Sequence, residues 1–445
     1  MRKITWFFWG VLALVSLLWL GSNPAVLAGQ PNFIAWRNVL IQYSGVLGMT
    51  VMSIAMLLAM RPTSLEGRLG GLDKMYRLHK WLGTAGLSLS LSHWVLTQSP
   101  KWLSALGLIA GGRPRRGSPP QLGDGVQQLF MQLRHTAESM GEWAFYVAAA
   151  LMLVALVKLV PYRRFRQLHR LLPLAYLVLV FHSVVLLQFG NWATPIGGVL
   201  ALLMVGGSVS AVLSLMRRHR GQPRVAAQIS ALDYQPELKV LAVDLQLDQA
   251  WAGHQAGQFA FVTFNAREGA HPFTLASAWQ GDGHARLLIK ALGDYTATLP
   301  HTLHVGDRVQ LEGPYGRFTF QDGKRRQIWI SGGIGVTPFV ARMQALAAEP
   351  GKKPVDFFHA SSNLDIETMN QLAADARAAG VELHLLRQPH DGRLDAERLA
   401  SAVPQWRDAD IWFCGPAAFG RQLRDKLLAL GLPASRFHQE LFQMR

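Results

Sequence analysis

The sequence is poor in cysteine and poor in charge. Its 445 residues contain one cysteine, Cys414, which excludes an intrachain disulfide and any cysteine-rich zinc or iron–sulfur centre. A redox group in this chain must be held by other side chains. Charged residues make up 16% of the sequence and apolar ones 50%, with a mean hydropathy of +0.15, and this does not suit an ordinary soluble protein. Acidic residues are scarcest where the apolar runs are. Met1 to Gly221 holds 21 Lys and Arg against 5 Asp and Glu, whereas Gln222 to Arg445 holds 23 of each. The net charge of +16 therefore belongs wholly to the apolar half. A basic surplus between hydrophobic segments is what membrane topology produces, so the charge does not describe a nucleic-acid-binding face and no nucleic-acid partner is expected. No EF-hand loop is present, so calcium control through one is not expected.

What is present is a series of long apolar runs. A hydrocarbon core of ~30 Å takes about 20 helical residues, and six spans are expected near 4–22, 38–60, 77–97, 142–160, 168–188 and 193–216. The first also has signal-peptide features: Arg2 and Lys3, an apolar run from Ile4 to Leu20, and small residues from Ala25 to Ala28. Retaining it as a helix makes the later loops alternate correctly. With the N-terminus cytoplasmic, 15 of the 21 basic residues fall on the inside. The exceptions include Arg113, Arg115 and Arg116 in the 98–141 loop, which this topology places outside together with His135. Long loops constrain orientation more weakly, so the assignment stands.

Four histidines stand out within these spans. His79 and His93 lie on the third and His169 and His182 on the fifth, at spacings of 14 and 13 residues. At about 1.5 Å per residue, each pair is separated by ~20 Å along its helix. The two helices run in the same direction, so His79 is level with His169 near the cytoplasm and His93 with His182 near the outside. A lone membrane histidine usually bonds a neighbouring helix or anchors at the interface. Two pairs at matching depths instead suit two stacked haems, each clamped by two imidazoles. At about 100° per residue a spacing of 14 returns to within ~40° of the same face, but 13 ends ~140° away. The fifth helix therefore needs a distortion, for which Pro173 is the candidate.

After Arg220 the pattern changes. Short β-branched and aromatic runs at Arg224–Ser230, Lys239–Leu247, Phe259–Phe264, Leu287–Leu292 and Arg308–Glu312 predict a small antiparallel barrel. From about Lys324, strands alternate with helices near Thr337–Ala348 and Asp365–Ala379 and a last helix after ADIWFCG, predicting a parallel α/β nucleotide-binding domain. The expected fold is thus multi-domain: a six-helix transmembrane bundle over 1–221, an antiparallel barrel over 222–322, and an α/β Rossmann-like domain over 323–445. At the first strand–helix junction of the last domain stands SGGIGVTPF. Gly332, Gly333 and Gly335 permit close approach to a pyrophosphate, with Thr337 expected as cap and Pro338 at the first helical position.

The barrel carries HPFTLAS at 271–277, IKALGDYT at 289–296 and EGPYGRF at 312–318, and FCGP follows at 413–416. Taken singly, Pro272 ends a strand as readily as it marks a site, and GPYG is an ordinary turn. In combination, and nearly end to end, the chain resembles the ferric reductase and NADPH oxidase superfamily, in which a six-helix bis-haem membrane domain is fused to a ferredoxin-reductase-like FAD and NADPH module. The resemblance is to bacterial NADPH oxidase-like flavocytochromes b. It implies His271, Pro272, Phe273 and Thr274 lining the isoalloxazine with Ser277 nearby, and Lys290 and Thr296 facing the FAD phosphates. GGIGVTP resembles the nicotinamide dinucleotide loop, and FCGP implies Cys414 and Gly415 near the nicotinamide; a small buried hydrophobe is the alternative for Cys414. QELFQMR resembles the tail that covers the flavin, with Phe442 as the stacking ring. Where an arginine often meets the 2′-phosphate this chain reads HASSN, so Ser361 and Ser362 offer hydrogen bonds without charge, and Arg393 is a substitute. NADPH is the implied donor, with NADH possible.

The implied activity is an NAD(P)H oxidase or ferric-reductase-type oxidoreductase in a bacterial inner membrane, with its FAD and NAD(P) module cytoplasmic. It would pass electrons through FAD and two b-type haems to dioxygen, to a ferric chelate or to a periplasmic protein. A different class remains open: a haem-free anchor or channel-like module that localises a flavin reductase.

Overall fold

The computed structural model describes residues 2–108, 125–157, 160–216, 223–248, 250–321, 326–349, 353–362, 366–388 and 390–440. The chain divides at Gly221 into two compact units.

The first unit is helical: α1 (Arg2–Ser22), α2 (Phe33–Ala59), α3 (Thr63–Leu69), α4 (Leu72–Ala105), α5 (Gly125–Leu156), α6 (Tyr162–His169), α7 (Leu172–Leu186) and α8 (Pro195–Leu215). Among the described residues, five stretches are long and apolar enough to cross a membrane: Lys3–Ser22, Phe33–Ala59, Gly125–Leu156, Arg163–Leu186 and Pro195–Leu215. Their outward faces are apolar, with Trp6, Trp9, Leu17, Trp143 and Leu202 exposed by 62–76%, a surface suited to lipid rather than water. The expected third span is a longer helix, α4, whose 34 residues give ample length but less hydropathy. Its hydroxyls turn inward on their own helix: Thr84, Ser88 and Ser92 each donate to the carbonyl four residues back, at 2.9, 3.0 and 2.9 Å.

Two expected boundaries are corrected. The span placed at 142–160 begins at Gly125, so His135 lies on an exposed helical surface and not in a loop. The span placed at 168–188 is broken by a turn at Arg170 and Leu171, where Leu171 N–H donates to Leu168 O at 3.0 Å. Pro173 follows in the first turn of α7. Arg113, Arg115 and Arg116 lie outside the described residues. The helices pack closely at small residues, for a Cβ on Gly207 would lie 2.1 Å from the Tyr176 hydroxyl, which pairs with Ser53 Oγ at 2.8 Å.

The second unit opens with β1 (Arg224–Gln235), β2 (Val240–Leu247), β3 (Phe259–Thr263), β4 (His271–Thr274), β5 (His284–Lys290), α9 (Asp294–Thr302) and β6 (Arg308–Tyr315). The strands form one antiparallel sheet in the order β4-β3-β6-β1-β2-β5. An antiparallel bridge from Leu275 to Leu287 joins its two edges. Alternate residues of β1, Val225, Ala227 and Ile229, enter an apolar interior with Val243, Leu245 and Leu287. HPFT is itself an edge strand, the position in a sheet that tolerates Pro272.

The chain then alternates: β7 (Arg326–Gly332), α10 (Thr337–Ala347), β8 (Val355–Ser361), α11 (Ile366–Ala379), β9 (Glu382–Arg387), α12 (Ala396–Ala402), β10 (Ala409–Cys414), α13 (Ala417–Ala429) and β11 (Phe437–Gln439). These five strands form a parallel sheet in the order β11-β10-β7-β8-β9. Near-continuous burial of β7, β8 and β10 is what a sheet covered by helices on both faces requires. Neither the short helix α12 nor the strand β11 is among the expected elements.

Candidate functional site

The four membrane histidines come together as two pairs. The ring centroids of His79 and His169 are 6.0 Å apart and those of His93 and His182 are 6.3 Å apart. Two imidazoles bound about 2 Å from a shared iron would have centroids about 6 Å apart, so both pairs fit a bis-imidazole haem site. The break between α6 and α7 supplies the distortion that the 13-residue spacing demanded. His169 ends α6 and His182 sits on α7, so the two need not share one helical phase.

Three of the four rings are oriented by backbone carbonyls. His79 Nδ1 lies 3.0 Å from Ala55 O, His93 Nδ1 3.1 Å from Ile41 O, and His182 Nδ1 2.8 Å from Ala137 O. With Nδ1 donating, Nε2 carries the lone pair that a metal takes. Each of these carbonyls belongs to a helix residue followed four positions later by a small one: Ala59, Gly45 and Gly141. Helical side chains lean back over the preceding turn, so a small residue there leaves the carbonyl open to a neighbouring ring. At Gly141 the space is fully used, since a Cβ would lie 1.9 Å from His182 Nδ1. These glycines were not foreseen as site residues; their spacing from Ile41 and Ala137 means nothing until the partner histidine is known.

In the second unit, His271 stacks on Tyr295 with centroids 4.5 Å apart, and Phe273 packs against Phe264 at 5.9 Å. Burial and the nearby Glu268 push the Tyr295 hydroxyl up to about 12. Pro272 pairs with Phe261 across β3, and Thr274 is buried. Ser277 Oγ accepts Arg286 N–H at 3.0 Å, so this hydroxyl ties the segment after β4 to β5. Thr296 Oγ accepts the N–H groups of Leu292 and Gly293 at 3.0 and 3.1 Å, shaping the turn into α9. Lys290 points toward the dinucleotide loop: a Cβ on Gly333 would lie 4.0 Å from its ammonium.

That loop is a 3-10 turn over Gly333–Val336 leading into α10. Thr337 is not the cap expected of it. Val336 occupies that position, and the Thr337 hydroxyl donates back to Ile334 O at 2.7 Å. Pro338 is the second residue of α10 and not the first, still within the turn that tolerates proline. Gly333 has a φ of +55°, and Gly335 is pressed so close to β10 that a Cβ would meet Cys414 O at 2.2 Å. Gly415 in turn abuts Gly332, whose N would be 2.9 Å from an added Cβ. Cys414 itself is fully buried in an apolar cluster with Trp329 and Phe339; burial, with Glu440, pushes its thiol well up, so it stays protonated. Its side chain is the small buried hydrophobe of the alternative reading, while its backbone walls the loop.

Ser361, the last residue of β8, is partly buried, and Ser362 just after it is exposed. The β8–β9 register sets Arg387 directly opposite Ser361. Arg387 makes a loose ion pair with Asp391 at 3.9 Å and keeps an exposed side chain, which puts a positive charge beside the HASSN segment. Sequence reasoning missed it because the two residues meet only through strand pairing. Arg393 is exposed. Phe442 lies outside the described residues.

A helical unit surfaced for lipid is joined in sequence to a sheet unit with a glycine-lined strand–helix turn, and two family matches make the chain an oxidoreductase with an FAD-binding domain. Residues 44–180 match the ferric reductase like transmembrane component family, a stretch that includes His79, His93 and His169 and stops just short of His182. Residues 230–320 match the oxidoreductase FAD-binding domain. Together the two matches indicate the ferric reductase and NADPH oxidase-like superfamily. It is similar to a flavohemoprotein of Rhizobium meliloti (strain 1021), 32% identical over 33% of this chain and 40% of that one. The stachydrine N-demethylase reductase subunit of the same organism is 28% identical over 42% of this chain and 58% of its own length. The chain thus spans about half the length of these relatives. A solved FAD/NAD-binding domain of nitric oxide dioxygenase from Vibrio cholerae is 22% identical with a TM-score of 0.43, covering 50% of this chain and 98% of that one.

Proposed function

We propose that the chain moves electrons from cytoplasmic NADPH, with NADH as the alternative donor, through FAD and two b-type haems to an acceptor beyond the membrane, dioxygen first among the candidates. The observation that carries this reading is the pair of histidine couples at two depths, each at haem-clamping separation. When bound, flavin exchanges a two-electron hydride for single electrons, and haems carry such electrons across a span too wide for one transfer.

The chain's own residues divide the work. His79 and His169 would hold the inner haem and His93 and His182 the outer one, with carbonyls fixing three of the rings. His271, Pro272, Phe273 and Thr274 would line the flavin over the six-stranded sheet, read here as the family's FAD-binding barrel. Lys290, set between that sheet and the Gly333 loop, would neutralise phosphate charge from either nucleotide. Gly332, Gly333, Gly335, Thr337 and Pro338 would seat the NADPH pyrophosphate at the start of α10. Ser361, Ser362 and Arg387 would meet its 2′-phosphate. Cys414 and Gly415 would wall the nicotinamide pocket, and Phe442 would cover the flavin.

In this reading α4 is the sixth span of a bundle over 1–221, its hydroxyls satisfied within the helix. The basic loops then face the cytoplasm of a bacterial inner membrane, with modules over 222–322 and 323–445 on that side. Ferric chelates are the second candidate acceptor, favoured by the description of the matched membrane family, and a periplasmic protein is the third.

The test uses the purified full-length protein with its cofactors. The His93→Leu variant should lose acceptor reduction while NADPH still bleaches its flavin; loss of flavin bleaching as well would contradict the order of carriers. In the unaltered protein, cytochrome c reduction sensitive to superoxide dismutase supports dioxygen as acceptor, and a ferrozine signal that persists without oxygen supports ferric chelates.

A further inference from the structure

Three metal-ligand side chains that electron transfer does not use meet at the start of two neighbouring strands in the parallel sheet. The β8–β9 register sets Asp356 opposite Glu382 and Phe358 opposite His384. Alternation along β9 puts Glu382 and His384 on one face of that strand. The His384 ring lies flat on Phe358, with centroids 4.3 Å apart and an interplanar angle of 11°. So held, its Nε2 lies 3.7 Å from Asp356 Oδ1 and 4.0 Å from Glu382 Oε1. One ligand atom from each of the three residues is within 4.8 Å of the other two.

Neither separation is a hydrogen bond, because a nitrogen and an oxygen joined through a proton sit about 2.7–3.2 Å apart. His384 Nε2 is nevertheless buried and has no hydrogen-bond partner among the described residues. A polar atom shut away from water without a partner is costly and uncommon. Asp356 is buried and gives Oδ2 to Arg326, which leaves Oδ1 facing the imidazole. Two carboxylates against one guanidinium leave a negative charge beside the orphaned nitrogen. A divalent cation answers all three groups at once, and one imidazole with two carboxylates suits Zn²⁺. Metal–ligand bonds of about 2.0–2.2 Å set tetrahedral ligand atoms about 3.4 Å apart, a closure that rotation of the exposed Glu382 side chain can supply.

We propose that Asp356, Glu382 and His384 form a zinc site that fastens the edge strand β9 to β8. Arg387 and Ser361 stand opposite each other five residues further along the same two strands. An edge strand is paired on one side only, so a cation at its start holds the Arg387 guanidinium in register for the dinucleotide 2′-phosphate. This hold on Arg387 rests on the proposed NADPH site, whereas the zinc site does not.

Zinc binding to the full-length protein with its cofactors is measured by competition against a chromophoric chelator, for the unaltered chain and for His384→Asn and Glu382→Gln. Because Glu382 is exposed, its variant tests the site without opening the core. Each variant should bind one zinc equivalent fewer than the unaltered chain; equal stoichiometry in all three overturns the site. Equilibrium dialysis of NADP⁺ then reads the coupling without turnover. Zinc should tighten NADP⁺ binding by about fivefold or more in the unaltered chain and leave both variants unmoved. Zinc bound at the site with NADP⁺ affinity unchanged would refute the hold on Arg387. A chain that binds zinc there but no NADP⁺ would refute the nucleotide-donor assignment together with that hold, and leave the zinc site standing.

Discussion

Gly141 decides whether His182 can reach its carbonyl. Any side chain there would sit on the imidazole, with a Cβ 1.9 Å from Nδ1. The Gly141→Ala variant should therefore fall from two haems per chain to about one, measured as pyridine haemochromogen per protein, since ligand misplacement commonly costs ~10–100-fold in metal affinity. Gly45→Ala is the control, because its Cβ would meet His93 at an ordinary 3.5 Å. Equal loss in both variants would count against the steric cause. A second residue sets a pH limit. His359 is buried with Nδ1 2.7 Å from Ser331 Oγ, and burial lowers it from 6.5 to about 4. The unfolded chain binds that proton more readily, so stability is full above pH 6.5 and is lost as pH falls toward 4, by about 3 kcal/mol in all. Melting curves should shift downward across this window and flatten in His359→Asn; an unchanged slope in the variant would refute the assignment. The histidines themselves were legible in the sequence, because ionisable residues in apolar runs are rare and these four recur at similar spacing. Gly141 was not, since its meaning depends on a ring 41 positions away.

At the scale of elements, two junctions govern the site. The turn at Arg170 and Leu171 frees His169 from the phase of α7, and the 3-10 turn over Gly333–Val336 lays the dinucleotide loop against β10. Gly335→Ala would drive a Cβ into the Cys414 carbonyl at 2.2 Å, where backbone cannot yield cheaply. The variant should show a KM for NADPH raised by roughly tenfold or more, with FAD content as the control. An unchanged KM would mean that the loop does not seat the dinucleotide. Strand positions were largely legible, because period-two alternation in β1 and β2 maps directly onto a half-buried sheet. Thr337 was misread as a cap because an inserted 3-10 turn moves the helix start by one residue, a shift that composition does not register. The first half of α5 was read as loop because QQLFMQLRHTAESMG mixes polar and apolar residues without a long apolar run.

Over the whole molecule the division of charge and hydropathy foretold the division of structure. A chain carrying all of its +16 before Gln222 separates at Gly221 into a helical membrane unit and a neutral sheet unit. The pairing of four histidines from α4, α6 and α7 at two depths is the feature on which the electron-transfer reading stands or falls. The most direct measurement is the haem content of the purified full-length protein, taken as a reduced-minus-oxidised spectrum with haem quantified against protein. Two b-type haems per chain are expected. A preparation that binds FAD and is reduced by NADPH, yet shows no b-type bands, would contradict the reading and leave the helical unit as an anchor.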